Sequence, residues 1–273
     1  MSLKLMYITN NPEVAQIAEK SGVDRIFVDL EYIGKEQRQP GMDTVKSHHT
    51  FDDITAVKKV LKKAELLVRC NSIYSNTEDE IDEIIKRKAD IIMLPYFKTV
   101  DEVKYFIDCV RGRAKTMLLV ETPEAVERID DILKIDGIDE MYIGLNDLSL
   151  GYEKKFMFEL LADGTVEMLC KKFKMAGKPY GFGGIAAMGT GTLPAENILI
   201  EHHRLGSTCV ILSRSFCNCE KITDDEDLKK IFQNGILDIR REESNISEVS
   251  FDENKHHVQE CVNKILDSMK ARA

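Results

Sequence analysis

A (β/α)8 barrel, an α/β fold of the TIM type with extra C-terminal helices, is predicted by three features of the chain. Eight short apolar or β-branched runs alternate with amphipathic stretches. The runs are nearly continuous in hydrophobicity, as expected of parallel strands buried on both faces. The 273 residues suit one barrel domain of about 250 residues with something added at its end.

The strand candidates, in order, are Lys4–Ile8, Arg25–Glu31, Leu66–Asn71, Ile91–Tyr96, Met117–Glu121, Met141–Asn146, Tyr180–Ile185 and Cys209–Ser213. Between them, Pro12–Ser21 sets Val14, Ile17 and Ala18 on one helical face, and Asp52–Ala64 repeats Ile54, Val57, Val60 and Leu61. Glu78–Lys88 and Val100–Val110 follow the same spacing. Thr122–Leu133 opens with a capping threonine and a proline in the first turn. Met157–Lys174 and Pro194–Arg204 complete the alternation. Each helix returns the chain to a parallel strand, which requires right-handed crossovers.

Nothing before residue 218 has the composition of a linker, so residues 1–218 form the barrel core. Residues 219–273 are more charged and hold two helical patterns, about 225–241 and 252–271. The later one lines up Val258, Cys261, Val262, Ile265 and Leu266, an apolar stripe that must pack on the barrel or on a neighbouring subunit.

A net charge of −9 argues against nucleic-acid binding, which needs a basic face. Seven cysteines, an odd number scattered through apolar runs, point to reduced thiols in the cytoplasm, and Cys217 and Cys219 lack the second pair that a zinc site needs. No apolar run reaches the roughly 20 residues that span a bilayer.

Barrel active sites form at the carboxyl ends of the strands, so the polar residues there are the candidates. They include the carboxylates Glu31, Glu121 and Asp147 and the guanidiniums Arg69 and Arg214. Asp29, one turn of the alternation earlier, is read as supporting the wall. Close carboxylates repel unless a cation lies between them, and a hard divalent ion with oxygen ligands resolves the conflict. An arginine beside such an ion suits a substrate carboxylate. Taken alone, any one of these acids also reads as a helix cap, and Arg69 as half of an ion pair.

Five segments resemble the HpcH/HpaI aldolase and citrate lyase beta-chain family: Phe27-Val28-Asp29-Leu30-Glu31, Val68-Arg69-Cys70-Asn71, Ile92-Met93-Leu94-Pro95, the run from Leu119 to Ala125, and the run from Tyr142 to Ser149. They occur in that family's order within residues 1–216. The resemblance implies a divalent-metal aldolase, a carbon–carbon lyase acting on a pyruvate-type 2-keto acid and an aldehyde or acyl partner, and assembled as a homo-oligomer. Glu121 and Asp147 would hold Mg2+ or Mn2+. Arg69 would bind the keto acid, with the backbone amides of Asn146 and Asp147 on its carboxylate, and Glu31 would stand behind the metal. The family's histidine after the second strand is Tyr32 here, its aspartate partner is Lys86, and a glutamine before the metal-binding glutamate is Leu119.

The long polar segment after strand two offers substitutes. His48 is the candidate acid–base group, with His49 beside it, and Tyr32 and Lys35 are candidate substrate contacts. Three other readings stay open: the same enolate chemistry on an acyl-CoA or sugar-derived partner, a lysine imine through Lys98, and a non-catalytic metabolite-binding barrel. His202 and His203 read as surface residues.

Overall fold

The computed structural model describes residues 2–34, 49–219, 221–222 and 224–271. Eight parallel strands close in chain order, each hydrogen-bonded to the next and the eighth to the first: β1 Lys4–Ile8, β2 Arg25–Asp29, β3 Glu65–Arg69, β4 Ile91–Leu94, β5 Lys115–Val120, β6 Glu140–Ile143, β7 Tyr180–Ile185 and β8 Cys209–Leu212. The strands stop short of several predicted ends for local reasons. The ladder between β2 and β3 ends where Asp29 faces Arg69. Pro95 has no amide to donate after β4. After Ile143 the chain turns at once into a seven-residue helix, Leu145–Gly151, which the apolar pattern had merged with the strand.

The helices between strands follow from caps and stripes. Asn11 caps α1 (Pro12–Ser21) by accepting from the amides of Glu13 and Val14, and Gly22 ends it at φ +107°. Next come α2 (Phe51–Val60), α3 (Thr77–Lys86) and α4 (Val100–Val110). Two predicted helices are each broken in two. Thr122–Leu133 becomes α5 (Pro123–Glu127) and α6 (Ile129–Ile132) around Arg128. With Leu145–Gly151 as α7, Met157–Lys174 becomes α8 (Glu159–Ala162) and α9 (Thr165–Met175), because Gly164 at φ +88° reverses the chain between them. Then α10 spans Ala195–Leu205.

Two cores result. Outside the strands, the apolar helix faces pack on the barrel wall. Inside, Met6, Phe27, Leu67, Ile91, Met93, Met117, Leu119, Tyr142 and Cys209 fill the barrel. The Tyr142 hydroxyl donates to the Gly183 carbonyl at 2.6 Å and accepts from the Ile211 amide at 2.9 Å. It thereby ties β6 to β7 and β8 at the bulge where the ladder shifts between Gly181 and Gly184.

The amino-terminal end of the barrel is closed by charge. Arg25 is fully buried and grips Glu140 with two bonds, Nη1 at 2.7 Å and Nη2 at 2.6 Å, while its Nε reaches Glu65 at 2.9 Å. Lys115 adds a bond to Glu65 at 2.7 Å. Burial alone would depress the arginine's pKa, but its bonds and attraction to Glu140 and Glu65 outweigh that and raise it.

The last two helices, α11 (Asp225–Asn245) and α12 (Phe251–Lys270), pack on this chain's own barrel. On α11, Phe232 meets Tyr7 edge to face at 4.8 Å, and Glu243 accepts from the Leu3 amide at 2.8 Å. On α12, Asn254 donates to Glu201 at 2.9 Å and Lys255 pairs with Glu167. Among the described residues, no helix is long and apolar enough to cross a membrane.

His202 departs from the surface placement expected of it. Its ring is completely buried, stacked on Phe182 at 3.8 Å and 3°, with Nδ1 2.9 Å from the Ser207 hydroxyl. Burial, reinforced by His203, lowers its pKa to about 3. The unfolded chain takes up this proton near pH 6.5 and the folded chain does not, so stability is whole above that pH and falls as the pH drops toward 3. Between pH 7 and 5, His202 should remove about 2 kcal/mol of unfolding free energy. Denaturant titrations at the two pH values check this, and His202→Phe should flatten the difference by that amount.

Candidate functional site

At the carboxyl end of the barrel a cavity of about 350 Å3 opens between the strand ends. Its polar lining comes from β2 and the residues after it (Asp29, Glu31), from β3 (Arg69), and from the segments after β5 (Glu121), β6 (Asn146, Asp147) and β8 (Arg214). Every acid the sequence pointed to is there, along with both guanidiniums.

Arg69 is fixed from two sides. Its Nε and Nη2 each donate to Asp29 at 2.8 Å, and Nη2 also lies 3.3 Å from Glu31 Oε2. The ring of Phe27 lies 5.6 Å below the guanidinium carbon. Burial works against the arginine's charge, yet Asp29, Glu31 and Glu121 more than offset it, and its pKa is raised. Asp29 is 1% exposed and Glu31 is 2% exposed, so this is a buried ion cluster and not a surface pair. Asp29 therefore does more than support the wall: it is the bidentate partner that orients Arg69. The spacing held this signal, because Asp29 and Glu31 are two residues apart and share a side of the chain.

Glu121 is 4% exposed and directly follows β5. Its Oε1 accepts from the Tyr96 amide at 3.0 Å, and Tyr96 holds a left-handed φ of +49° just past β4. Gly144 makes room for this carboxylate. A β-carbon there would come within 2.7 Å of Glu121 Oε2 and 2.9 Å of its Cβ. Gly144→Ala is accordingly expected to displace Glu121 and to weaken divalent-ion binding about tenfold or more with the barrel intact. Mn2+ titration alongside circular dichroism measures both. Across the same cavity, Asp147 sits half-buried in the first turn of α7, and Asn146 Nδ2 donates to it at 3.3 Å.

Other candidates fall elsewhere. Lys35 and His48 lie outside the described residues. Tyr32 is 67% exposed and does not line the cavity; its amide donates to Asn71 at 3.0 Å. His49 is described and accepts a hydrogen bond at Nδ1 from the Asp29 amide at 2.9 Å. Lys86 is a surface residue paired with Glu83, and Leu119 is packed inside the barrel. Lys98 pairs with Glu124 at 3.0 Å, and that bond raises its pKa. An imine-forming lysine needs the opposite shift.

The donor set suits a hard divalent ion. Four carboxylates face two guanidiniums across one small cavity, leaving two formal negative charges that such an ion balances. Among the described residues no group of three or more His, Cys, Asp or Glu makes a closed cage. Two carboxylates with open positions are what Mg2+ uses when it keeps waters and substrate oxygens.

Known proteins agree with this architecture. The chain superposes on the HpcH/HpaI aldolase from Desulfitobacterium hafniense DCB-2 with a TM-score of 0.62 and 17% identity, covering 88% of this chain and 93% of that one. For the citrate synthase SbnG the values are 0.63, 14%, 86% and 94%. For an HpcH/Hpal aldolase/citrate lyase family protein from Burkholderia cenocepacia J2315 they are 0.62, 12%, 84% and 94%. Likeness at this identity speaks to the shared fold. No curated relative matches the chain by sequence. The sequence model of one enzyme family does match, over residues 4–188, a span holding all eight conserved-fold elements up to β7 together with Arg69, Glu121 and Asp147; the chain belongs to the HpcH/HpaI aldolase/citrate lyase family.

Proposed function

We propose that this chain is a divalent-metal-dependent carbon–carbon lyase that makes or breaks a bond to a pyruvate-type 2-keto acid. The observation that carries the reading is the charge imbalance in the cavity. An anionic keto acid entering beside four carboxylates and two guanidiniums meets net repulsion, and a divalent ion turns that into attraction.

Glu121 and Asp147 are the residues that would hold Mg2+ or Mn2+. When bound, the ion supplies Lewis acidity to the keto oxygen of the substrate. The protein's own groups do the rest. Arg69 brings a permanent positive charge whose position Asp29 and Glu31 fix, so little reorganisation is needed when negative charge grows on the keto acid. Asn146 and Asp147 lie in the first turn of α7, where amides lack partners inside the helix, and these amides serve the substrate carboxylate. Glu31, pinned by Arg69, faces the same space and orients water. The apolar floor of Phe27, Met93 and Leu119 keeps bulk water out and strengthens each of these attractions.

Exchange of pyruvate methyl protons in heavy water tests this directly. Mn2+-loaded protein should exchange them, and chelated protein should not. Equal exchange with and without the ion, or none in either state, removes the reading.

A further inference from the structure

A second cavity, of about 390 Å3, opens on the same end of the barrel between the termini of β1 and β8. It shares Ile8, Ile211 and Arg214 with the first cavity. The chemistry of its wall is different. Among its described lining residues there is no carboxylate. Its polar groups are the amides and hydroxyls of Thr9, Asn10, Asn11, Ser213 and Asn218, and its one permanently charged side chain is Arg214. A site of this kind attracts an anion without help from a metal.

His49 also lines this second cavity. The bond at its Nδ1 comes from a backbone amide, which can only donate. Nδ1 therefore carries no proton, and the ring is held neutral with its proton on Nε2. A neutral imidazole fixed in this way is a hydrogen-bond donor suited to a carbonyl oxygen, and it does not give up its proton. Its anchor, Asp29, belongs to the first cavity, so the two compartments meet across the Asp29–His49 bond and Arg214.

We infer that the second cavity receives the acceptor in carbon–carbon bond formation, and that this acceptor is itself a small 2-oxo acid, with His49 Nε2–H on its reacting carbonyl oxygen and Arg214 on its carboxylate. This rests on the reading of the first cavity given above. Arg214 stands on the shared wall, where the two substrates meet, so the anion it holds must lie next to the reacting carbonyl and not at a distant end of the acceptor. Two anionic substrates brought together also require a cation between them, and the wall supplies one.

The test is the condensation of pyruvate with glyoxylate, with succinic semialdehyde, whose carboxylate is remote, and with neutral propanal. Glyoxylate should have a kcat/KM roughly tenfold or more above either of the others. Arg214→Gln should abolish that preference by acting on glyoxylate alone. His49→Asn keeps an acceptor for the Asp29 amide but deletes the Nε2 donor. It should lower kcat roughly tenfold or more for every acceptor, with little change in KM. A purely structural His49 predicts instead that the asparagine variant behaves as wild type and that only His49→Ala is impaired. That result, or a preference for succinic semialdehyde or propanal, overturns the inference. Methyl-proton exchange into pyruvate, run on the same wild-type sample, separates the two readings. Exchange without the glyoxylate preference sinks this inference alone, whereas no exchange sinks the first-cavity reading and this one with it.

Discussion

Glu121→Gln should cut turnover by about a thousandfold or more and weaken Mn2+ binding by at least about a hundredfold, while leaving the fold untouched. The substitution keeps the size of the side chain and an oxygen for the Tyr96 amide, so the end of β5 has no reason to move. What disappears is one formal charge in a cavity where two excess negative charges are the basis for holding a divalent ion. Loss of an outer-shell partner typically costs a metal site ten- to a hundredfold in affinity, and a direct ligand costs more. The Lewis acidity lost with the ion is worth several kcal/mol, which at about 1.4 kcal/mol per factor of ten gives the thousandfold figure. Calorimetric titration with Mn2+ and the pyruvate exchange rate are the two measurements. A glutamine variant with wild-type values in both would mean that Glu121 only shapes the loop.

The second large effect concerns stability. Arg25→Met should destabilise the protein by about 3–5 kcal/mol, because it leaves Glu140 in the barrel floor without its doubly bonded partner. The arginine itself is not irreplaceable. A buried pair exchanged as a unit for apolar groups of similar volume is often neutral, so Arg25→Met combined with Glu140→Leu should recover most of the loss. Urea unfolding of the two single variants and the double variant gives the coupling directly. If the double variant is no better than Arg25→Met, then the ion pair is not what closes this end of the barrel. Glu65, which also bonds to Lys115, should matter less, since it is partly exposed and keeps a cation when Arg25 is gone.

Much of this molecule is readable from its sequence. Runs such as Ile91–Leu94 and Met117–Val120 are apolar throughout, and only strands buried on both faces require that. The acids and arginines at the upper ends stand out because each interrupts such a run. What stayed hidden depends on contacts between residues far apart in the chain. Arg25 looks like an ordinary charged residue at a strand start, and its partners Glu65 and Glu140 are 40 and 115 residues away. His202 sits in a polar run, Glu201-His202-His203-Arg204, and only the neighbouring Phe182 ring explains its burial. Helix breaks at Arg128 and Gly164 were smoothed over because the apolar spacing continues across them. The polar segment after β2 suggested His48, whereas the histidine bonded to Asp29 is His49. Adjacent identical residues cannot be told apart by chemistry alone.

The Tyr142 hydroxyl, bonded to one neighbour on each side, makes β6, β7 and β8 a single stiff panel at their upper ends. Asp147 rides on one edge of that panel and Arg214 on the other, so the spacing between the ion's ligand and the guanidinium on the shared wall is set by a phenol buried beneath them. Any opening or closing of the mouth has to be done by the opposite side of the barrel, where β2 and β3 bring Asp29, Glu31 and Arg69. The molecule thus has a stationary jaw and, facing it, one held together by ionic attraction.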